Sequence, residues 1–131
     1  MPIAYRIDQD RRLVLTRAWG ILADADILDH KEQLAKDPHV RAPMVELSDL
    51  RSVERLDVTT EGVKAMVAHD TKNADQVAGH RLALVVGSDE VFGMARMYGL
   101  RRSADGDGVG VFRDVADAEA WLGIGPTPAA N

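Results

Sequence analysis

Five stretches of the chain have the apolar patterns of β-strands. Residues 3–8 (IAYRID) and 12–20 (RLVLTRAWG) are rich in strand-forming side chains, and the short polar segment between them predicts a β-hairpin. Residues 44–47 (MVEL), 81–87 (RLALVVG) and 108–114 (GVGVFRD) predict three further strands. The unbroken apolar run within residues 81–87 is typical of a strand that is buried on both faces.

Four stretches have the spacing of apolar positions that amphipathic helices show. They are residues 23–37, residues from Thr59 or Thr60 to about 73, residues 88–103 and residues 114–123. In the first helix, Ile27, Leu34 and Ala35 share one face, and the pattern places Lys31 at its margin. In the third helix, the spacing predicts an inward stripe of Val91, Met94, Ala95 and Tyr98.

The predicted elements follow the order β-β-α-β-α-β-α-β-α. Because strands alternate with helices after the hairpin, we expect an α/β fold with a mainly parallel five-stranded sheet. The hairpin makes the first strand antiparallel, and about four helices complete the fold. We expect a single domain over residues 1–123 and a flexible tail over residues 124–131, where Gly and Pro follow the last helix.

Charge and composition narrow the classes of function. The net charge is −5, which argues against a general binder of nucleic acid. The chain contains no cysteine, so disulfides and thiolate chemistry are excluded. Residues 1–12 lack the apolar core of a signal peptide, and the longest apolar run, residues 82–86, is too short to span a membrane. We therefore expect a cytoplasmic protein without a membrane span.

The segment DLRSVERLDVTTEG, residues 49–62, resembles part of a known family. Together with the element order, it is similar to the SpoIIAA-like domains of the STAS type, the fold of anti-sigma-factor antagonists. The family's strand-to-loop segment lines up with Asp49, Leu50, Val53 and Glu54. In this resemblance Asp57 matches the loop aspartate, and Thr59 matches the serine that a partner kinase phosphorylates.

Two departures distinguish the segment from that family. Thr60 and Glu61 stand between Thr59 and Gly62, where the family has its glycine almost at once, and the acceptor is threonine rather than serine. The segments VFGMARMYG and VFRDVADAEAWLG are similar to a divergent STAS/SEC14-like branch. That branch resembles both the antagonists and the SEC14 domains, which carry lipids.

Thr59 and Thr60 have two alternative roles. As a helix cap, a threonine hydroxyl accepts a hydrogen bond from a free amide of the next helix. As a phosphoacceptor, it would carry a phosphate that the helix N-terminus favours but that Asp57 and Glu61 repel. The sequence favours the cap and leaves phosphorylation open.

The third helix carries apolar residues outside its inward stripe. The candidate interface residues are Phe92, Arg96, Met97 and Leu100, and three of them follow one another at intervals of four residues. Apolar side chains in such positions predict a contact surface, most simply that of a homodimer. The alternative is that loops bury this helix more deeply.

The sequence offers few candidates for ligand-binding, metal-binding or catalytic residues. Ligands of open α/β sheets bind beyond the carboxyl ends of the strands, which places Asp49, Ser88 and Asp89 on one rim with Thr59. Asp26 and His30 are one helical turn apart, but two ligands do not make a metal site. No Ser-His-Asp arrangement with a recognisable motif is present, so we expect no catalytic residues, no metal and no cofactor.

Two hypotheses for the function follow. The first is a non-enzymatic regulatory module that contacts a protein partner, such as a kinase or an anti-sigma-like regulator. It would use the third helix and the Thr59 loop with Asp49, Asp57, Gly62, Ser88 and Asp89. The alternative is a carrier or sensor of a small apolar or lipid-like ligand, as the SEC14 resemblance implies. The chain is short for a deep pocket, because most of its apolar side chains are needed for the core.

Overall fold

The computed structural model describes residues 2–41, 43–73, 81–102 and 108–126. Within these residues the chain forms five strands and four helices. They are β1 (Ile3–Asp8), β2 (Leu13–Ala23), α1 (Asp24–Lys36), β3 (Val45–Asp57), α2 (Thr60–Lys72), β4 (Arg81–Val86), α3 (Asp89–Arg102), β5 (Val109–Phe112) and α4 (Val115–Leu122). The predicted order is confirmed, and each helix begins and ends within one residue of its predicted range.

The five strands form one sheet in the order β1-β2-β3-β4-β5. β1 pairs with β2 in antiparallel orientation, and the other neighbouring strands are parallel. In the turn of the β1–β2 hairpin, the carboxylate of Asp8 accepts hydrogen bonds from the backbone N–H and the Nε of Arg11. The predicted α/β fold, with its antiparallel first strand, is therefore confirmed.

Helices cover both faces of the sheet. Leu82, Leu84 and Val86 of β4 belong to the apolar cluster beneath α1, α2 and α3. Ala83 and Val85 alternate with them and belong to the cluster beneath α4. These five side chains are all buried. The two-sided burial that the apolar run predicted is confirmed, and β4 separates the two halves of the core.

β3 is longer than predicted, because it continues to Asp57 instead of ending at residue 47. Residues 49–57 are mostly polar and do not show the apolar pattern of a strand. Arg51 pairs with Asp49, and Arg55 pairs with Asp57. Each pair joins side chains on the same side of the strand. Because exposed ion pairs stabilise a fold little, this segment is held as a strand by its backbone pairing with β2 and by the packing of Val53 in the core.

The end of β2 also continues beyond its predicted limit, to residue 23 instead of residue 20. β2 pairs with β3 from Leu13 opposite Val45 to Ala23 opposite Asp57, with two irregularities between residues 17 and 21. β4, in contrast, pairs with β3 only as far as Leu50. The last parts of β2 and β3 therefore form a two-stranded ribbon that extends beyond β4.

α4 has the predicted cap residues at both ends. The carboxylate of Asp114 accepts backbone N–H groups of the first turn. Gly123 follows the helix in the left-handed region with φ of 74°, which favours glycine. The N–H of Ile124 then bonds to the carbonyl of Glu119, and its side chain packs beneath α4. The predicted tail therefore begins with a packed residue, and its last five positions, 127–131, lie outside the described residues.

Candidate functional site

A cavity lies between the sheet and the helices α1, α2 and α3. Its volume is about 130 Å³. Most of its wall is apolar, and the apolar part includes Ala18 and Leu22 of β2, Leu84 of β4, Val63 of α2 and Met94 of α3. The cavity is small, as expected for so short a chain, and it forms because the helices that pack on the sheet leave open space between them.

One polar group on the cavity wall is the Glu46 cluster, formed by Thr16 of β2, His30 of α1 and Glu46 of β3. Thr16 Oγ1 donates a hydrogen bond of 2.7 Å to Glu46 Oε2, and His30 Nε2 lies 3.3 Å from the same oxygen. Only 8% of the Glu46 side chain is exposed. Its carboxylate therefore depends on these partners rather than on bulk water.

The Glu46 cluster is flanked by Tyr5 of β1. The rings of Tyr5 and His30 meet edge to face, with centroids 5.6 Å apart. The hydroxyl of Tyr5 donates a bond of 2.8 Å to Asp37 Oδ2, just beyond the end of α1. Burial, and then the bond to the Asp37 carboxylate, raise the pKa of Tyr5 to about 12. Tyr5 thus joins β1 to α1 through His30 and to the residue that follows α1 through Asp37.

The second polar group is the Lys31 cluster, formed by Lys31 of α1, Asp70 of α2 and Tyr98 of α3. Lys31 Nζ donates to both carboxylate oxygens of Asp70, at 3.1 and 3.2 Å, and to the Tyr98 hydroxyl, at 2.7 Å. The Tyr98 hydroxyl in turn donates to Asp70. Lys31 lies on the same face of α1 as Ile27 and Leu34, as the spacing predicted. Its ammonium group reaches between the helices, where two buried partners replace water.

The two clusters come together on α1, because His30 and Lys31 are consecutive residues. His30 contacts the sheet, and Lys31 contacts the other two helices. The strand residues of this polar side lie near the beginnings of β2 and β3. The wall near the ends of the same strands is apolar and includes Leu22, Leu56 and Val58. The cavity is therefore polar on one side and apolar on the other.

Thr59 is the N-cap of α2. Its Oγ1 accepts a bond of 2.9 Å from the N–H of Gly62, so the predicted cap is confirmed. Thr59 also reaches α1, since its backbone N–H and its hydroxyl donate to Asp24 at 3.0 and 2.6 Å. Thr60, the first residue of α2, is exposed. Because Asp24 begins α1, this contact joins the N-terminal ends of two helices.

Gly62 lies directly against the same carboxylate. A Cβ atom at this position would overlap the side chain of Asp24. At the glycine that the family resemblance singled out, any side chain would therefore displace the Asp24 carboxylate from its bonds with Thr59.

The other predicted loop residues occupy separate places. Asp49 and Asp57 lie within β3 instead of in a loop. The hydrogen bond from Arg51 lowers the pKa of Asp49 below its usual range. Ser88 caps α3 by accepting a bond of 3.2 Å from a backbone N–H, and the exposed Asp89 pairs with an arginine of the segment after β5. These contacts are distinct from the contact between Thr59 and Asp24.

The predicted interface residues of α3 divide into two kinds. Leu100 is 68% exposed, and Arg96 is also exposed. Phe92 and Met97 are half-buried and pack against the core. The Phe92 ring also contacts the guanidinium group of Arg113, 4.6 Å from the ring centroid. Part of this surface is thus covered by the segment that follows β5.

The polar side of the cavity is the part of the site that sequence reasoning missed. The strand residues had a usable signal, because Thr16 shares a face of β2 with the buried Ala18, and Glu46 and Ser48 share a face of β3 with Leu50. Polar side chains at inward positions of a strand indicate buried partners. Which partners they meet depends on helices that lie far away in the sequence.

Comparison with known proteins bears on the fold. No family model matches the chain, and no curated protein matches it either. It is similar to the crystal structure of an uncharacterized protein of the DUF3478 family from Shewanella loihica PV-4, which has a SpoIIAA-like fold. The TM-score is 0.61 at 18% sequence identity, over 92% of this chain and 93% of that chain. The chain has a SpoIIAA-like fold.

The SpoIIAA-like, STAS-type resemblance inferred from residues 49–62 and from the element order is therefore confirmed at the level of the fold. None of the helices in the described part of this SpoIIAA-like domain has the length and apolar character of a transmembrane span. Over the same described ranges, no three His, Asp or Glu side chains come together as ligands for a metal ion.

Proposed function

We propose that this SpoIIAA-like domain binds a small apolar molecule in the cavity beneath α1, α2 and α3. The observation that carries the proposal is the cavity itself, with about 130 Å³ of space and a mainly apolar wall. A ligand in this space would gain packing contacts with the apolar wall, so the domain would act as a non-enzymatic carrier or sensor in the cytoplasm.

Ring-sized probes test this proposal, because benzene derivatives match the size of the cavity. We expect toluene or phenol to raise the Tm, since a ligand specific for the folded state adds about 2.7 kcal/mol at one hundred times its Kd. Ala95→Leu, on the wall in α3, should fill the cavity and abolish the shift. Ala68→Leu adds the same atoms to the exposed face of α2 and should keep it. A shift that survives Ala95→Leu contradicts the proposed site.

A second candidate function is regulation through protein contact, and the surface of α3 favours it. Leu100 is 68% exposed and lies one helical turn beyond the exposed Arg96. We propose this surface, with Phe92 and Met97 at its margin, as the contact for a second copy of the chain. The Thr59 loop would provide a further contact, for a kinase or an anti-sigma-like regulator of the kind that the STAS resemblance implies.

Native mass spectrometry tests the surface of α3. If it forms a homodimer, Phe92→Asp and Leu100→Asp should each give monomers, because an unpaired charge buried in an interface is costly. Ala68→Asp places the same charge on the exposed face of α2 and should leave the dimer intact. An oligomeric state that none of the three variants changes would refute this surface.

Phosphorylation of Thr59 would act on its contact with Asp24. The modification would remove the hydroxyl proton that Thr59 donates to Asp24. It would also place a negative phosphate beside the negative carboxylate of Asp24, and the two charges repel each other. Thr59→Glu should therefore destabilise the domain more than Thr59→Ser, which keeps both hydrogen bonds. Mass spectrometry of the protein from its own host would show the phosphate. Its absence under every growth condition would exclude the switch and leave the ligand proposal unaffected.

A further inference from the structure

Ser48 lies in the middle of the sheet surface that forms one wall of the cavity. It belongs to β3, the central strand of the sheet, and its neighbours across the sheet are Thr16 of β2 and Leu84 of β4. Both neighbours line the cavity, and so do Glu46 and Leu50, which share a face of β3 with Ser48. The side chain of Ser48 therefore points from the sheet toward the cavity.

The hydroxyl group of Ser48 is buried, and none of the residues that the structure describes forms a hydrogen bond with its Oγ. Only 6% of the residue is exposed. Thr16, directly opposite, differs from it, because the Thr16 hydroxyl donates a bond of 2.7 Å to Glu46. Folded proteins pair the large majority of their buried polar side-chain atoms. The Ser48 hydroxyl is therefore placed to form a hydrogen bond with a molecule inside the cavity.

The position of this hydroxyl favours a ligand that carries an oxygen atom. A wholly apolar ligand would cover Ser48 without giving it a hydrogen bond, and burying a polar group in that way is unfavourable. An oxygen beside Ser48 avoids the loss, because a serine hydroxyl donates to a carbonyl and both donates to and accepts from another hydroxyl. The rest of the wall is mainly apolar, so the remainder of the ligand should be hydrocarbon.

The size of the cavity limits the ligand further. Its volume of about 130 Å³ is close to the engineered cavity of about 150 Å³ in another protein that binds benzene. Pockets for drug-sized ligands are roughly 300–1,000 Å³. A six-membered ring with one small substituent matches the volume of this cavity, whereas the acyl chain of a membrane lipid exceeds it.

From the position of Ser48 and the size of the cavity, we propose that the ligand is a ring-sized hydrocarbon with one carbonyl or hydroxyl oxygen. That oxygen forms a hydrogen bond with Ser48 Oγ, and the ring packs against the apolar wall. Ser48 is then the residue that distinguishes such a molecule from a plain hydrocarbon of the same shape. This inference rests on the proposed function, because it names the class of molecule that the cavity takes.

Two compounds of the same shape test the inference by NMR titration. They are cyclohexanone and methylenecyclohexane, in which a CH₂ group takes the place of the carbonyl oxygen. In Ser48→Ala, which removes the hydroxyl, the affinity for cyclohexanone relative to methylenecyclohexane should fall about fivefold or more. The comparison between proteins cancels the different hydration of the two compounds. Ser52→Ala is the matched control, because Ser52 is an exposed serine of the same strand, and it should leave the relative affinity unchanged.

The outcomes separate this inference from the proposed function. If both compounds bind and Ser48→Ala leaves their relative affinity unchanged, or if methylenecyclohexane alone binds, the inference is overturned and the cavity remains an apolar site. If neither compound binds, the inference fails, and the proposed function fails with it unless toluene binds in the cavity. If Ser48→Ala does not fold, as judged by circular dichroism, nuclear Overhauser effects in the wild-type protein decide. The protons beside the carbonyl of bound cyclohexanone should contact the Hβ protons of Ser48, and the absence of that contact overturns the inference.

Discussion

At the scale of single residues, Lys31 connects three helices through one ammonium group. Its partners are Asp70 of α2 and Tyr98 of α3, and its side chain is only 13% exposed. Taking a charge out of water is costly, so such a group is tolerated only while its partners stay in place. Lys31 borders the cavity, and its contacts also hold α1, α2 and α3 together.

Replacing Lys31 should be far more damaging than replacing another lysine of the same helix. Lys31→Met removes the ammonium group that bonds to both carboxylate oxygens of the buried Asp70, so we expect a loss of about 3–5 kcal/mol in the free energy of unfolding. Lys36→Met is the matched control, because Lys36 is 76% exposed and its ion pair is with Glu32, one helical turn away. Its loss should stay below about 1 kcal/mol. Urea denaturation measures both, and equal losses would contradict the buried role of Lys31.

Tyr5 predicts a specific dependence on pH. Burial and the bond to Asp37 raise the pKa of Tyr5 from the usual 10.0 to about 12. Because the folded state holds the proton more tightly, this stabilisation is complete below about pH 10 and is lost as the pH rises toward 12. In Tyr98→Phe, where Tyr5 is the remaining tyrosine, phenolate absorbance should appear near pH 12. A midpoint at the ordinary value would show that the Tyr5–Asp37 contact does not form.

At the scale of elements, the side chain of Asp24 connects the N-terminal ends of α1 and α2. It begins α1, and it also accepts two bonds from Thr59 at the start of α2. A carboxylate is favourable near a helix N-terminus, where free N–H groups point outward. The close packing of Gly62 completes the arrangement, since any side chain there would displace the carboxylate.

A double-mutant cycle should reveal this arrangement. Gly62→Ala alone should destabilise the domain by about 1–3 kcal/mol, because Asp24 must turn away and leave its hydrogen bonds with Thr59. In the Asp24→Ala background the same change should be neutral or stabilising by up to about 1 kcal/mol, since alanine is the better helix former. Urea denaturation gives the coupling free energy. Additive losses would mean that Gly62 and Asp24 do not meet.

A comparison of β4 with β3 shows which elements the sequence pattern can identify. β4 was predictable because its five apolar residues in a row match burial on both faces. The second half of β3 was not, because its pairs Arg51–Asp49 and Arg55–Asp57 have the composition of a loop. Its strand conformation also depends on pairing with β2, a contact that side-chain patterns do not encode. The family resemblance located this segment correctly but placed Asp57 in a loop.

At the scale of the whole molecule, the fold could be derived and the polar side of the cavity could not. The order of the elements and the spacing of their apolar residues predict the sheet and its helices, because both can be read from short stretches of the chain. The clusters depend on distant partners: Thr16 meets Glu46 across 30 positions, and Lys31 meets Tyr98 across 67 positions. A polar residue at an inward position shows that some partner exists, but not which one.

The central place of β4 has a consequence for hydrogen exchange. β4 is bonded to strands on both sides and buried on both faces, whereas the ribbon of β2 and β3 extends beyond its edge. The amides of Ala83 and Val85 should therefore exchange only when the whole domain unfolds, and those of residues 51–57 through local opening. Exchange measured in rising denaturant would separate the two, and faster exchange in β4 would contradict this order. A ligand in the cavity should then raise the free energy of opening measured at the β4 amides by its full binding free energy, and their exchange should slow accordingly.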